Sequence, residues 1–350
     1  MPSEVTVGTI STRFEFPIFL SVKFLRRLLW LLLTFPKHRG SLFLSYLSIV
    51  IGAIQPKIIV TGADNNTALA AFAHSHPNIL TIFVQTALRD TTGGFPTGIR
   101  IPNYYALGES ENLIFNSLQV QADSYKPWGS LKLGYALADP TPKLFHHIDV
   151  CFVSNHRPEQ ATINSSILWQ MIEETSDLLF EHTCKYAEKF GLTLRILAKS
   201  REPEWHEKEL RHYERLSQDF PFELVVAEKS SGQLDPYYAL FASEIVINNA
   251  STLGFEALAI GKKVLFGASM TTGLIDRWGI SVYFDQVPSL ITVDQTDFLH
   301  FEKKLNKLRS LSAAEYHQQT ADKTRSLVTQ DPRNPPHHQL EEIIRNRLLS

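Results

Sequence analysis

Short apolar runs alternate with longer amphipathic stretches over most of the chain. The runs at 57–61, 79–85 and 148–153 have the length of buried strands, and polar residues follow each of them. The stretch 167–190 instead places its apolar residues at helical i, i+3, i+4 spacing. Because parallel strands are joined by crossovers that are usually helices, this alternation predicts an α/β fold with parallel sheets.

The predicted elements form two groups, separated by a linker at 135–147 that is rich in proline and polar residues. The first group has strands at 57–61, 79–85 and 101–109 and helices at 67–74 and 110–118. The second has strands at 148–153, 192–198, 222–227, 245–247, 264–266 and 280–284 and helices at 167–190 and 204–216. The pattern predicts one domain at 1–140, another at 141–330 and a C-terminal helix at 331–350.

The most informative stretch is 244–267, EIVINNASTLGFEALAIGKKVLFG. It predicts a strand, a polar turn, a short helix and a second strand, which together make a βαβ unit. Ser251 or Thr252 stands at the helix N-cap, and Glu256 follows one turn later. A hydroxyl beside the first backbone amides of a helix suits a bound phosphate. An ordinary capped helix between two strands explains the same residues equally well.

The motif S-T-L-G-F-E-A-L-A-x-G-K-K-V resembles the nucleotide-sugar motif in the C-terminal domain of GT-B glycosyltransferases, especially bacterial surface-carbohydrate (capsule and lipopolysaccharide) biosynthesis transferases. The resemblance implies two Rossmann-like domains whose parallel sheets face a central cleft, with a helical C-terminal tail that crosses back to the first domain. It assigns the donor to 141–330 and the acceptor to 1–140. It also implies that Ser251 and Thr252 hold the donor phosphates and that Glu256 meets the ribose or sugar.

Other strand ends of the second group carry further donor-binding candidates. The turn after 148–153 contains Asn155, His156 and Arg157, and Lys199 and Arg201 close the next strand. Cations at these positions would neutralise a leaving phosphate, and His156 is a candidate base. Asn249 lies inside the proposed ligand loop. An ordinary surface turn is the alternative for the His-Arg pair.

The first group ends two strands in polar turns. Asp64, Asn65 and Asn66 follow 57–61, and Gln85, Arg89 and Asp90 begin the loop after 79–85. The resemblance places such turns on the acceptor side of the cleft, with Asp64 and Asp90 as further candidate bases. Helix capping by Asp64 or Asn65 is the simpler alternative. The sequence departs from the family at Thr86-Ala87, where an Asn-Gly pair is expected.

The composition limits which cofactors and which cellular compartment we expect for this protein. A net charge of −2 and a pI near 6.7 do not indicate the excess of basic residues that is typical of general nucleic-acid binding. Cys151 and Cys184 offer neither metal spacing nor a disulfide framework, which suits a reducing cytoplasm. No Asp-x-Asp pair stands at a convincing site. We therefore expect no metal, and no cofactor other than a nucleotide-sugar co-substrate.

The stretch 14–36, FEFPIFLSVKFLRRLLWLLLTFP, is the nearest approach to a membrane signal. Lys23, Arg26 and Arg27 interrupt it and Pro36 ends it, so it is too charged for a clean span. It predicts either a helix packed at the edge of the first domain or a peripheral helix whose basic side meets anionic lipid on the inner membrane.

Together these features predict a metal-independent glycosyltransferase. It moves a sugar from a nucleotide-activated donor to a surface polysaccharide or a lipid-linked glycan precursor. Three alternatives share the fold: a sugar-nucleotide 2-epimerase, a CDP-polyol phosphotransferase, and a non-enzymatic scaffold in a glycan-assembly complex. The loss of Asn-Gly after Gln85 favours the scaffold, whereas the intact S-T-x-G-x-E-A-L run favours a working donor site.

Overall fold

The computed structural model describes residues 55–157, 166–199, 203–228 and 234–349, together with Arg26, Leu29, Trp30, Ile49 and Ile51. The helix predicted at 14–36 therefore lies outside the described residues, except that Arg26, Leu29 and Trp30 are helical and exposed. Within the described part of the chain, no helix is both long and apolar enough to cross a membrane.

The first sheet has four parallel strands in the spatial order β1-β2-β3-β4. The strands are β1 (Ile58–Thr61), β2 (Leu80–Val84), β3 (Arg100–Ala106) and β4 (Gln121–Pro127). Crossovers contain α1 (Thr67–Ser75) and α2 (Glu111–Leu118), and α3 (Leu131–Ala138) follows β4. Asn66 caps α1 by accepting a hydrogen bond from the Leu69 amide at 2.9 Å. The expectation that Asp64 or Asn65 caps this helix is wrong.

The second sheet has five parallel strands in the order β7-β6-β5-β8-β9. They are β5 (Ile148–Val153), β6 (Leu194–Leu197), β7 (Glu223–Val225), β8 (Ser243–Asn248) and β9 (Lys263–Phe266). Their crossover helices are α4 (Ile167–Phe190), α5 (Pro203–Ser217), α6 (Asp235–Phe241) and α7 (Thr252–Ala259). The strand order reverses at β5, so β5 and β8 flank the switch point where α/β sheets bind ligands.

The tail is helical and returns to the first sheet. It contains α8 (Leu274–Trp278), α9 (Ser281–Phe284), α10 (Phe298–Ser310), α11 (Ala313–Thr324) and α12 (Pro336–Leu349). Leu340 of α12 packs with Ile82, Val84 and Trp128, which belong to the first sheet and the turn after it. The last helix thus crosses back, as the resemblance implies. The predicted α/β class with two parallel sheets is confirmed.

Two local predictions differ from the structure, and one strand was not predicted. The run 280–284 is helical rather than a strand, because short apolar runs do not distinguish the two by pattern alone. The sequence pattern did not predict strand β4, because β4 is a largely exposed edge strand with few apolar residues. Helix α3 extends to Ala138, so the connection between the sheets begins later than the predicted 135.

Candidate functional site

A cavity of about 410 Å³ lies between the carboxyl ends of the two sheets. Its walls come from six segments: the turns after β2, β5 and β6, the start of α4, the turn after β8 with the start of α7, and the stretch from α8 to α9. The chain therefore brings six distant segments to one cleft. Of the residues predicted from sequence, those lining the cavity are Arg89, Asp90, Asn155, Arg157, Lys199, Ser251 and Thr252.

The side chain of Asn248 shapes the turn that carries Ser251. Its Oδ1 accepts a hydrogen bond from the Ser251 amide at 3.0 Å, and its Nδ2 donates to the Ser251 carbonyl at 3.2 Å. Gly254 is required beside it, because a Cβ there would overlap the Asn248 side chain. Ser251 is the N-cap residue of α7, yet its hydroxyl makes no capping bond. The hydroxyl and the first turn of α7 thus lie at the cavity wall.

Polar and cationic groups continue this wall along the second sheet. The Arg157 guanidinium carbon lies 4.4 Å from the centre of the Trp169 ring, a cation–π contact. Asn155 contributes a buried Nδ2 that has no hydrogen-bond partner within the described chain. The Lys199 backbone amide donates to Glu209 at 2.8 Å, which fixes the turn after β6. Arg201 lies outside the described residues.

Aromatic side chains also line the cavity, and the sequence did not predict them. Trp169 and Trp278 meet edge to face with ring centres 6.5 Å apart. Phe255, Tyr283 and Phe284 complete the surface. The only sequence signal was the concentration of aromatic residues between 278 and 284 after the last strand of the motif. Flat apolar walls beside cations suit a ligand that combines a ring with negative charge.

The first sheet contributes Arg89 and Asp90. Asp90 Oδ1 accepts hydrogen bonds from the Thr92 amide, the Thr92 hydroxyl and the Gly93 amide at 3.0, 2.8 and 2.7 Å. These bonds hold the carboxylate in a fixed turn at the cavity. Among the three candidate bases, Asp90 is the one that lines the cavity, as far as the described residues define it.

Asp64 is fully buried beneath Arg89 rather than at the cavity. It forms a bidentate ion pair with the Arg89 guanidinium, with Nε to Oδ2 at 3.1 Å, and accepts a bond from the Tyr104 hydroxyl at 2.9 Å. Burial raises the pKa of Asp64, and the Arg89 charge opposes the rise. The geometry makes Asp64 an orienting partner of Arg89, and the base role predicted for it lacks access to the cavity.

The other acceptor-side candidates also have internal partners. Asn65 Nδ2 donates to the Gly94 carbonyl at 2.9 Å and so holds the loop after β2. Gln85 is buried; its amide donates to Glu111 at 2.7 Å and its Oε1 accepts from the Leu107 amide at 2.8 Å. Asn65, Asn66 and Gln85 are not among the residues that line the cavity. Each of these side chains instead bonds to backbone groups or to a carboxylate.

Glu111 is a buried acid that sequence reasoning passed over, since an acidic residue at a helix start is ordinary. Its Oε2 accepts bonds from the Gln85 amide and the Tyr283 hydroxyl, both at 2.7 Å, and its Oε1 has no partner among the described residues. Burial raises its pKa to about 7, and the Tyr283 and Gln85 bonds moderate that rise. Through Tyr283 it supports a residue of the cavity wall.

Glu256 and Asn249 lie outside the cavity lining. The buried Glu256 carboxylate accepts from Ser130 and from the Tyr237 hydroxyl, the latter at 3.0 and 3.1 Å. Burial raises its pKa to about 7, opposed by the Ser130 and Tyr237 bonds. Asn249 Nδ2 donates to the Ile172 carbonyl at 3.2 Å. Both side chains brace α7 and its turn, and the donor contacts predicted for them stay predictions.

His156 is mostly buried and does not reach the cavity. Its Nδ1 lies 2.6 Å from Glu173 Oε1, and its ring stacks on His212 with centres 3.7 Å apart. The neighbouring residues of its turn, Asn155 and Arg157, point into the cavity instead. The base role predicted for His156 therefore lacks a path to the cavity.

Two parallel sheets with a cleft at their carboxyl ends, and a last helix that returns to the first sheet, define the GT-B fold. A variant of the wall teichoic acid polymerase TagF superimposes on the chain with a TM-score of 0.50 at 11% identity, covering 83% of this chain and 73% of that one. At this identity the likeness shows the fold alone.

Two further solved structures are similar at lower TM-scores. A structure titled "putative UDP-N-acetylglucosamine 2-epimerase" from Listeria monocytogenes gives 0.49 at 17% identity, covering 80% of this chain and 73% of that one. A glycosyltransferase from Rickettsia africae gives 0.46 at 10% identity, covering 88% and 80%. No curated protein matches the sequence.

A family model described as "putative O-antigen biosynthesis protein" matches residues 123–342, which is more than half of the chain. The protein therefore belongs to this family of O-antigen biosynthesis proteins. The resemblance to surface-carbohydrate biosynthesis proteins of GT-B fold is thereby confirmed.

Proposed function

We propose that the protein is a glycosyltransferase of O-antigen assembly that uses a nucleotide-activated sugar. The observation that carries this proposal is the cavity of about 410 Å³ between the sheets, which joins Ser251 and Thr252 at the start of α7 to Arg157 and Lys199. The volume lies within the usual range for small-molecule sites.

The donor diphosphate would bind at the second sheet. The amides at the start of α7 and the Ser251 hydroxyl supply hydrogen-bond donors, and the helix dipole favours negative charge there. Asn155 adds its buried amide, and Arg157 and Lys199 add positive charge. In a cleft that excludes water, such a cradle would stabilise the charge that develops on the leaving phosphate. The proposed reaction needs no cofactor beyond the donor.

The acceptor would approach from the first sheet, where Asp90 is the proposed general base. Its carboxylate is held at the cavity by the Thr92 and Gly93 bonds. Taking a proton from an acceptor hydroxyl requires a carboxylate within hydrogen-bond reach of that hydroxyl. We propose a surface polysaccharide or a lipid-linked glycan precursor as acceptor. Free, buried Cys151 and Cys184 suit a reducing compartment, so we propose that the reaction takes place on the cytoplasmic side. The basic and apolar residues of 14–36 support a further proposal, a peripheral contact with the membrane.

A nucleotide screen tests the donor site. UDP, GDP, CDP and CMP are added to the purified chain and the melting temperature is measured. We expect one of them to raise it, because a ligand that binds only the folded state stabilises that state by mass action. An unchanged melting temperature with every nucleotide would contradict a donor site and favour the non-enzymatic scaffold.

Two matched substitutions localise the binding. Lys199→Ala removes a cation from the cavity, and we expect it to weaken nucleotide binding by roughly 10-fold, as loss of one charged hydrogen bond does. Arg211→Ala removes an exposed cation of α5 that does not line the cavity, and we expect the affinity for the nucleotide to stay unchanged. Equal losses in both variants would place the nucleotide elsewhere.

Product analysis separates the reaction types that share the fold. A glycosyltransferase releases the nucleoside diphosphate or monophosphate only when acceptor is present. An epimerase would interconvert the sugar nucleotide without acceptor, and a polyol phosphotransferase would release CMP from a CDP-activated polyol. We expect acceptor-dependent release that Asp90→Asn reduces by roughly 100-fold or more, as loss of a general base does.

A further inference from the structure

Two tryptophans stand side by side in the cavity, and no part of the proposed function uses them. Trp169 lies in the first turn of α4, and Trp278 is the last residue of α8. Their rings meet edge to face. Both side chains are partly exposed, so a ligand in the cavity can reach them. Accessible aromatic rings in a cleft beside a few polar groups are typical of a small-molecule site.

A continuous set of contacts runs from the phosphate cradle through both indoles to the proposed base. At one end, the Arg157 guanidinium carbon lies 4.4 Å from the centre of the Trp169 ring, which in turn meets the Trp278 ring. At the other end, the Thr92 hydroxyl donates to Asp90 Oδ1 at 2.8 Å and lies 3.4 Å from the Trp278 carbonyl oxygen. The tryptophan pair therefore lines the stretch of wall that joins the cation to the carboxylate.

The backbone after Trp278 is fixed against the loop that carries Asp90. Gly279 ends α8 with φ +73°, a left-handed conformation that favours glycine. Its carbonyl oxygen accepts a hydrogen bond from the Thr91 amide at 2.9 Å, and a Cβ on Gly279 would overlap Thr91. This close packing keeps Trp278 in the part of the wall next to Asp90.

The transferred sugar has to occupy this stretch of the cavity if the proposed function holds. In the transfer, the acceptor oxygen forms a bond to the anomeric carbon, and Asp90 takes the proton of the acceptor hydroxyl. The bond from the anomeric carbon to the phosphate oxygen breaks, and its electron pair leaves on the phosphate, which Arg157 stabilises. The anomeric carbon therefore lies between Arg157 and Asp90. The nucleobase is separated from this carbon by the ribose and the diphosphate.

We propose that Trp169 and Trp278 hold the transferred sugar by a C–H face of its ring, an assignment that rests on the proposed function. The C–H bonds on a pyranose face are apolar and weakly positive, whereas the face of an indole ring is negative. Contact between the two also removes apolar surface from water. Trp169 has a second task, because its ring orients Arg157 at the leaving phosphate. Trp278 is therefore the residue at which the sugar contact can be tested separately from the phosphate contact.

The test compares the affinity for a nucleotide with the affinity for its sugar derivative by titration calorimetry. UDP, GDP and CDP are each compared with their glucose derivative, and CMP is compared with CMP-N-acetylneuraminate. Trp278→Leu keeps apolar bulk and removes the flat ring, and we expect it to weaken binding of the sugar nucleotide by roughly 10-fold. Binding of the free nucleotide should stay unchanged, because the cradle is intact. Trp278→Phe restores an aromatic face and should recover most of the lost affinity.

Trp205→Ala on α5 is the matched control, since it removes a tryptophan that does not line the cavity. It should change neither affinity. Circular dichroism checks that each variant folds. If Trp278→Leu does not fold, tryptophan fluorescence decides: the sugar nucleotide should shift the emission of the unaltered chain more than the free nucleotide does, and Trp278→Phe should remove this extra shift.

Three results would overturn the proposal, and they differ in what they leave standing. An unchanged ratio of the two affinities in Trp278→Leu would exclude the sugar contact and keep the nucleotide site. Equal losses for the nucleotide and its sugar derivative would mean that the indole stacks on the nucleobase. Binding of no nucleotide to the unaltered chain would overturn the proposed function and the sugar contact together.

Discussion

At the scale of single residues, the cavity depends on side chains that never reach it. Asn248 holds the Ser251 turn, Asp64 orients Arg89, and Glu111 supports Tyr283. Each is buried, so a change at any of them costs packing or hydrogen bonds rather than a direct ligand contact. Their effects can be separated from ligand binding because stability and affinity are measured independently.

Gly254→Ala tests the close approach of α7 to Asn248. The added Cβ would overlap the Asn248 side chain, so we expect the free energy of unfolding to fall by about 1–3 kcal/mol, which is typical of overpacking. The nucleotide-induced rise in melting temperature should also shrink, because the Ser251 turn shifts. Gly93→Ala is the steric control for unfolding alone, since nothing lies within 4 Å of its added Cβ although Gly93 itself lines the cavity. Equal urea midpoints for the two variants would contradict the role given to Gly254.

Glu111→Gln tests the buried carboxyl through pH. Burial raises the folded-state pKa of Glu111 from 4.5 to about 7, so the folded chain keeps a proton that the unfolded chain has released. The stability contribution of Glu111 is full below pH 4.5 and declines as pH rises through about 7. Glu111→Gln lacks this decline. Between pH 4.5 and pH values above 7, its free energy of unfolding should therefore rise by up to roughly 3 kcal/mol relative to that of the unaltered chain.

Urea unfolding at pH 4.5, 5.5, 6.5 and 7.5 measures this difference. Glu256 has a pKa raised in the same direction, but it is present in both chains and cancels from the comparison. A difference between the two chains that stays constant with pH would show that Glu111 titrates normally in the folded state.

Among the secondary-structure elements, the loop after β2 is hydrogen-bonded to the part of the chain that follows β8, at several points along the loop. The Leu88 amide donates to the Thr252 hydroxyl at 3.0 Å, the Arg89 amide donates to the Tyr283 hydroxyl at 3.2 Å, and the Thr91 amide donates to the Gly279 carbonyl at 2.9 Å. One wall of the cavity therefore bridges both sheets, and its order depends on α7 and α9.

Tyr283→Phe removes the acceptor for the Arg89 amide and the donor to Glu111 while it keeps the ring. We expect a loss of about 1–3 kcal/mol in the free energy of unfolding, since two buried groups lose a partner. Amide hydrogen exchange should quicken at Arg89 and its neighbours more than in the strands. Tyr135→Phe alters a half-exposed tyrosine of α3 and should change neither measurement. Unchanged exchange at Arg89 in Tyr283→Phe would argue against the bridge.

At the scale of the whole molecule, α12 joins the end of the chain to the first sheet. Leu340 packs with Ile82, Val84 and Trp128, and the tail crosses the second sheet unit before it arrives there. The first sheet therefore depends on residues more than 200 positions later in sequence for part of its core.

Leu340→Ala should destabilise the chain by about 2–4 kcal/mol, because it leaves a cavity beside β2. Leu349→Ala in the same helix removes a leucine that is 80% exposed, and we expect a change within about 0.5 kcal/mol. Urea unfolding compares the variants, and hydrogen exchange should quicken in β2 before β8. Equal stability of the two variants would mean that α12 contributes little to the first sheet.

Local sequence patterns are enough to predict the alternation of strands and helices, the parallel sheets, and the turns at which polar residues cluster. These follow from local periodicity and from the rule that parallel strands end at one edge. The sequence also singled out Ser251, Thr252, Asn155, Arg157 and Asp90, which the structure brings to one cavity. The edge strand β4 and helix α9 were missed, since neither has a local pattern that excludes the alternative.

Which polar residues line the cavity and which support its walls from behind depends on long-range packing, which a local pattern does not contain. Glu256, Gln85 and Asp64 carry the same chemistry as their neighbours, but their partners come from segments far away in sequence. The pairing of His156 with Glu173 and His212 depends likewise on how α4 and α5 pack against the second sheet. Local patterns fix the position of a side chain along an element, and long-range packing fixes what it meets.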